Sequence, residues 1–214
     1  MNISPKGLPS SSFAVFGPNR AAYIDATGSA SETISHIYEN GRVTILFNSF
    51  GPNPRILRLF CTGRAVEIQG DTHAQFQELV KQMNVKGTME SARAVIVLDI
   101  WKVQTSCGYG VPIATPDGFQ DRATLFKWGK TVVDGGKLPA YWAQWNSSSL
   151  DGLPGVEAAR RANGERWLVV GNARAWARRI MGMREAVGVG FIGGLALGIL
   201  FGREWALKCT RWTG

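Results

Sequence analysis

Three small residues, Thr27-Gly28-Ser29, stand just before a run that reads as a helix, and residues of that kind can hold a phosphate. A helix start leaves backbone amides without partners and carries the positive end of the helix dipole, which favours an anion there. Ser29-Ala30-Ser31-Glu32 fits the capping-box spacing, in which a serine and a glutamate three positions on satisfy such amides reciprocally. Ile34, Ile37 and Tyr38 follow at helical spacing, Asn40-Gly41 is a helix stop, and residues 42–47 have the β-branched and aromatic content of a strand. A capped helix that binds nothing has the same pattern, so spacing alone leaves both readings open. Elsewhere the chemistry is sparse. His36 lies on the same helix and reads as a surface or packing residue. Cys107 sits in a glycine-punctuated loop with no base to activate it and reads as a packing residue. No metal-ligand spacing links the two histidines and three widely separated cysteines.

The elements that must position this turn are strands with short helices between them. Gly51-Pro-Asn-Pro54 is a turn cluster, followed by a strand over 55–68. Residues 72–83 place Phe76, Leu79, Val80 and Met83 at helical spacing, and 94–103 read as a strand ending near Trp101. A short helix is expected over 122–130, and residues 137–155, rich in Trp, Ser, Gly and Pro, are expected as a loop packed through Tyr141, Trp142 and Trp145. Strands with local turns predict a mainly β barrel or sandwich with short helices.

The 214 residues suffice for one good core. An odd number of separated cysteines makes a disulfide framework an unsuitable reading and a reducing compartment the default. No basic start followed by an apolar run opens the chain, so no secretory signal is read there. The net charge of +8 points to nucleic acid only until it is located. Through Glu157 there are 14 Lys and Arg against 13 Asp and Glu; from residue 158 onward there are 10 against 3. Basicity therefore belongs to the tail rather than to a folded face interleaved with aromatics, and nucleic acid is not an expected partner.

That tail is a different object. Residues 186–202 are seventeen uncharged residues, at the short edge of the ~17–25 that span a bilayer as a helix. Gly190, Gly194, Gly198 and Gly202 recur every four residues, the small-residue stripe that lets membrane helices approach closely. In a water-exposed helix each glycine would cost about 1 kcal/mol relative to alanine. Arg174, Arg178, Arg179 and Arg184 precede the run and Arg203, Lys208 and Arg211 follow it, with Trp176, Trp205 and Trp212 as interfacial anchors. The expected division is a folded domain over 1–155, a basic juxtamembrane linker over 156–185, a transmembrane helix over 186–202 and a basic tail over 203–214. The protein is then tail-anchored with a cytosolic domain. A buried glycine-rich helix or hairpin in a cytoplasmic protein is the alternative.

Six segments, Asn2-Ile-Ser-Pro-Lys-Gly7, the stretch from Asp25 to Phe47, Pro54-Arg-Ile-Leu-Arg-Leu-Phe60, Ser91-Ala-Arg-Ala-Val-Ile-Val97, Thr105-Ser-Cys-Gly-Tyr109 and Ser149-Leu-Asp-Gly-Leu-Pro154, carry more in combination. In this order they resemble the pyridoxamine 5'-phosphate oxidase-like family, in a branch with Ser-Pro-Lys-Gly, Thr-Gly-Ser and Glu-Asn-Gly-Arg motifs. The resemblance implies an FMN-binding split β-barrel over residues 1–155, working as a homodimer whose subunits both contribute to each flavin site. By motif it implies that Lys6 offers a cation to the phosphate, that Thr27, Gly28 and Ser29 donate hydroxyl and amide hydrogens, and that Thr33 adds a hydroxyl one turn on. Arg58 is implied to pair with phosphate or with a carboxylate across the dimer, since its planar fork suits both. A strand end for Lys6 and a cross-strand ion pair for Arg58 are the plainer readings. Asp25 is expected to shape the turn rather than touch an anion.

The chain also departs from the true oxidases. Ala30 and Ser31 stand where those carry Arg and Lys, Met1 where they carry an arginine, and Ile56 where they carry a glutamine. Their C-terminal substrate motif has no counterpart, so pyridoxamine phosphate is not an expected substrate, and the small molecule acted on is left open. The family also places a helix and a strand before the Ser-Pro-Lys-Gly strand, with which this chain nearly begins. Two functions follow as expectations: a flavin-dependent oxidoreductase, or a non-catalytic split-barrel interaction module. The tail generates a direct test. The full chain should stay with membranes through an alkaline carbonate wash, and a chain ending at Glu185 should be released; release of both would leave the buried-helix alternative.

Overall fold

The structure, a computed structural model, describes residues 2–7, 9–85, 90–182 and 188. The membrane helix expected over 186–202 lies outside the described residues apart from Gly188. Among the described residues no helix is long and apolar enough to cross a membrane. The chain divides into two compact units, Met1–Leu125 and Phe126–Gly214.

In the first unit α1 (Pro9–Ser12) leads into β1 (Phe13–Gly17) and β2 (Arg20–Ala26). There follow α2 (Glu32–Asn40), β3 (Arg42–Asn48), β4 (Ile56–Glu67), α3 (His73–Met83), β5 (Ala92–Ser106), and the short strands β6 (Ile113–Thr115) and β7 (Gly118–Gln120). The main sheet is antiparallel throughout, in the order β1-β2-β5-β4-β3, and β6 pairs with β7 separately. Residues 2–7 form no strand, which corrects the expectation of a strand at Ser-Pro-Lys-Gly. Gly7 takes φ +79°, a left-handed turn open to glycine at little cost, and this turns the segment toward α1.

The sheet is apolar on both faces because a helix covers each. On one face Ile34 and Ile37 of α2 pack with Ala21, Tyr23, Leu59, Cys61, Ala94, Ile96 and Leu98. On the other, Phe76, Leu79 and Met83 of α3 pack with Ala22, Ile24, Val66, Val95 and Val97. Strand alternation explains why Ala94 to Leu98 read as one unbroken apolar run: neighbours point to opposite faces and both faces are dry. Strand β5 has two environments. Its first half lies between β2 and β4, and its second half, from Asp99 on, pairs with β4 and is largely exposed.

Sequence signals and elements agree where the period is clean. The αL residue Gly41 closes α2, its N–H donating to Ile37 O at 2.8 Å. The capping box is not made. Helix α2 starts at Glu32 with Ser31 as its N-cap, and no side chain caps it, so Ser29 lies two residues too early to serve.

The second unit corrects the mainly β expectation. Helices α4 (Thr124–Asp134), α5 (Leu138–Trp145), α6 (Glu157–Ala162) and α7 (Leu168–Gly182) make the protein a mixed sheet-and-helix structure. Residues 138–145, expected within a loop, form a helix that opens with Pro139 in its first turn, a position where a missing N–H costs nothing. The Trp-rich composition hid it.

Close packing makes one glycine diagnostic. A Cβ on Gly63 would stand 2.7 Å from Val43 Cγ2 and 3.5 Å from Ile37, where α2 crosses β3 and β4. Gly63→Ala should destabilise the fold by about 1–3 kcal/mol in urea unfolding, and an unchanged midpoint would contradict this packing. Burial and the nearby Asp99 carboxylate raise the Cys61 thiol from 9.0 to about 11. The folded state then holds its proton between those values while the unfolded chain loses it. Stability should therefore fall as pH rises through that window, a decline that urea midpoints taken across it would register.

Candidate functional site

The turn after β2 is organised around one buried acid. Asp25 is fully buried, and its two oxygens accept from different cations, Lys6 Nζ at 2.6 Å and Arg93 Nε at 2.8 Å. A carboxylate cannot be left dry without partners, so this acid fixes the place of both cations. Lys6 comes from the segment before α1, and Ser12 Oγ donates to its carbonyl at 2.8 Å. Its ammonium also lies 5.4 Å from the centre of the Tyr23 ring, a cation–π distance. Burial and the neighbouring Asp25 charge push the Tyr23 hydroxyl well above its usual range, so it stays neutral.

Arg93 owes its position to a β-bulge. Asp25 pairs with Ala94 and Ala26 with Ala92, which leaves Arg93 as the extra residue of β5. Bulges re-aim side chains in this way. From there the guanidinium reaches Asp25 with Nε and donates from Nη2 to Ala30 O at 2.7 Å, tying the 26–30 turn to the sheet.

Both cations of the clamp, Lys6 and Arg93, border a cavity of about 610 Å³, within the range of small-molecule sites. Hydroxyls of Ser4, Ser11, Ser12, Ser29 and Thr33 line it with the Asn2 amide, Lys6 and Arg93. Asn2 Nδ2 donates to Thr33 Oγ1 at 2.8 Å, linking the N-terminal segment to α2. Lys6 and Arg93 together outweigh Asp25, so the cluster keeps an excess of positive charge. A methyl at Gly28 would meet no heavy atom within 4 Å, so a ligand can approach its backbone closely. Charge, donors and space fit a phosphate-bearing small molecule.

Of the residues singled out from sequence, Lys6, Gly28, Ser29 and Thr33 come together at this cavity. Thr27 is not among its lining residues; its N–H donates to Ser91 O at 2.6 Å and anchors the turn. Arg58 lies on β4 opposite Gln104, with Nη1 donating to Ser106 Oγ at 3.1 Å, and does not line the cavity. Asp25 shapes the turn, as its sequence position suggested. Arg93 was missed: it sits within Ser-Ala-Arg-Ala-Val, where strand alternation assigns no special role, and only the bulge brings it inward.

The family model described as Pyridoxamine 5'-phosphate oxidase matches residues 3–107, a stretch that holds nearly the whole cavity lining. The pyridoxamine 5'-phosphate oxidase family protein ustO of Aspergillus flavus is 50% identical over 175 residues, covering 77% of this chain and 69% of that relative. A 1.98 Å crystal structure of a tagged, singly substituted HupZ from Group A Streptococcus is 16% identical, with a TM-score of 0.34, over 44% of this chain and 73% of that one.

Asp25→Asn keeps the volume and removes the charge that holds both cations. It should lower unfolding stability by about 2–4 kcal/mol in urea titration, the scale of two charge-assisted hydrogen bonds at a buried carboxylate. A loss under about 0.5 kcal/mol, typical of an exposed pair, would show that the clamp is not structural.

Proposed function

The chain belongs to the pyridoxamine 5'-phosphate oxidase-like family, a flavin-type oxidoreductase-like family, and on that premise we propose that it binds FMN and serves as an oxidoreductase-like protein. The observation that carries this reading is the 610 Å³ cavity in which two cations, five hydroxyls and the open face of Gly28 converge. In this reading the FMN phosphate lies against Lys6 and Arg93, with Ser29, Thr33 and the Gly28 backbone supplying further donors. Bound flavin would supply the redox chemistry. The chain's own residues hold and orient the phosphate, and Asp25 keeps the two cations apart and in place. Arg93 offsets Ala30 and Ser31, where the true oxidases carry charge, because it brings a cation to the same turn from another strand. Pyridoxamine phosphate remains outside this reading.

The homodimer belongs to the same proposal. Beyond Asp99 the sheet presents Leu46, Phe60 and Trp101, with the last two rings 5.7 Å apart, and Leu46 and Trp101 are exposed. Arg58 shares this end of the sheet, so we assign it a flavin or carboxylate contact across the dimer. A split barrel completed by a second copy accommodates this exposed apolar surface.

Titration of the purified protein with FMN, followed by flavin fluorescence, should give saturable binding. Lys6→Met and Arg93→Met should each weaken it by about tenfold or more, the worth of one charge-assisted contact. Absence of binding below about millimolar FMN, or binding by both variants as tight as that of the unsubstituted protein, would remove the cofactor from this cavity and favour a non-catalytic interaction module. A monomer in size-exclusion chromatography would remove the role given to Arg58.

A further inference from the structure

We propose that helix α7 is a membrane-surface helix, laying one apolar stripe onto an anionic lipid interface. The inference is independent of flavin binding.

One side of α7 is already committed. Arg160 of α6 is buried and makes a bidentate fork with Glu165, Nε to Oε2 at 2.7 Å and Nη2 to Oε1 at 2.6 Å. It also donates from Nη1 to Asn172 Oδ1 at 2.8 Å and from Nη2 to Leu168 O at 3.0 Å. Gly171 faces this cluster, where an added Cβ would stand 2.6 Å from Arg160 Nη2. Leu168, Gly171 and Ala175 are accordingly half-buried on one helical face.

The opposite face is largely open among the described residues of its unit, with Val169, Ala173 and Trp176 exposed and Ile180 half-buried. Val169, Ala173, Trp176 and Ile180 recur at i, i+4, i+7 and i+11, the spacing of a single apolar stripe. Val169 is 78% and Trp176 65% exposed, with exposed Val170 and Met181 widening the stripe. Arg174 and Arg179 border it on its two sides. Guanidinium groups on both margins suit phosphate-rich headgroups, with the apolar stripe and the Trp176 ring set into the acyl boundary. The sequence adds continuity, because the uncharged run of residues 186–202 follows α7 within four residues.

The test places a reporter on α7 in the full chain. Ala173→Cys is made with Cys107 and Cys209 changed to Ser, so that a polarity-sensitive fluorophore labels residue 173 while buried Cys61 stays protected. A control label replaces exposed Ala162 on α6. Mixed phosphatidylcholine–phosphatidylserine vesicles should shift the 173 label to the blue and leave the 162 label unchanged. Arg174→Gln and Arg179→Gln should each lower the partition read from the 173 label by about fivefold, the worth of ~1 kcal/mol per charge near an anionic surface. Even where residues 186–202 hold the chain on the bilayer by themselves, this label reads α7 alone. No shift at residue 173 would overturn the proposal. So would an equal shift with phosphatidylcholine alone, with nucleic acid, or with rising protein concentration in the absence of lipid.

Discussion

The first unit depends on the ionic clamp at Asp25. A carboxylate without exposure must be matched on each oxygen, and here the two matches come from segments far apart in sequence. One is Lys6, ahead of the first helix; the other is Arg93, at the bulge of the longest strand. The same contact that fixes the acid therefore joins the N-terminal segment, β2, β5 and the turn leading to α2. Isolated in the interior such a group would be costly, and removing either cation leaves that cost partly uncompensated. Its structural consequence is a pair of cations held 2.6 and 2.8 Å from one buried acid at the rim of a hydroxyl-lined cavity.

The sheet around that clamp is two structures in one. Where β5 runs between β2 and β4, helices α2 and α3 exclude water from both faces, and the backbone is held on both edges. Past Asp99 the same strand loses β2 as a neighbour, and polar and aromatic side chains emerge. The covered half holds the hydroxyl-lined cavity. The exposed half offers the surface on which a second copy would complete the proposed flavin site. Strand pairing links them, since β4 and β5 stay antiparallel partners through both, with one register shift between Phe60 and Cys61 that leaves Trp101 as the extra residue.

The helical unit rests on another arginine–carboxylate contact with a different role. Arg160 forks onto Glu165 in the connection after α6 and donates to Asn172 and Leu168 of α7, which determines the side of α7 turned inward. Glu165 is held below the usual carboxylate range by the hydrogen bonds from Arg160. What remains outward is apolar along one stripe and basic along its borders, next to the chain's long uncharged run.

The sequence by itself determined the family, the main elements of the first unit and the turn at which the proposed anion site lies. Those features rest on local signals: the Gly41 helix stop, the helical spacing of Phe76, Leu79 and Met83, and the small residues Gly28 and Ser29 before a helix. Tertiary structure decided the rest. Arg93 joined the cavity through a bulge, whose one-residue excess exists only in the pairing of two strands. Ser29 lost its capping role because α2 begins two residues later, and Arg58 fell outside the cavity because β4 carries it to the other end of the sheet. The α5 helix escaped notice because its tryptophans and proline resemble loop composition and its helicity depends on neighbours. Periodicity and turn chemistry are written in adjacent residues, whereas a buried acid selects its cations from whatever the folded chain brings within reach.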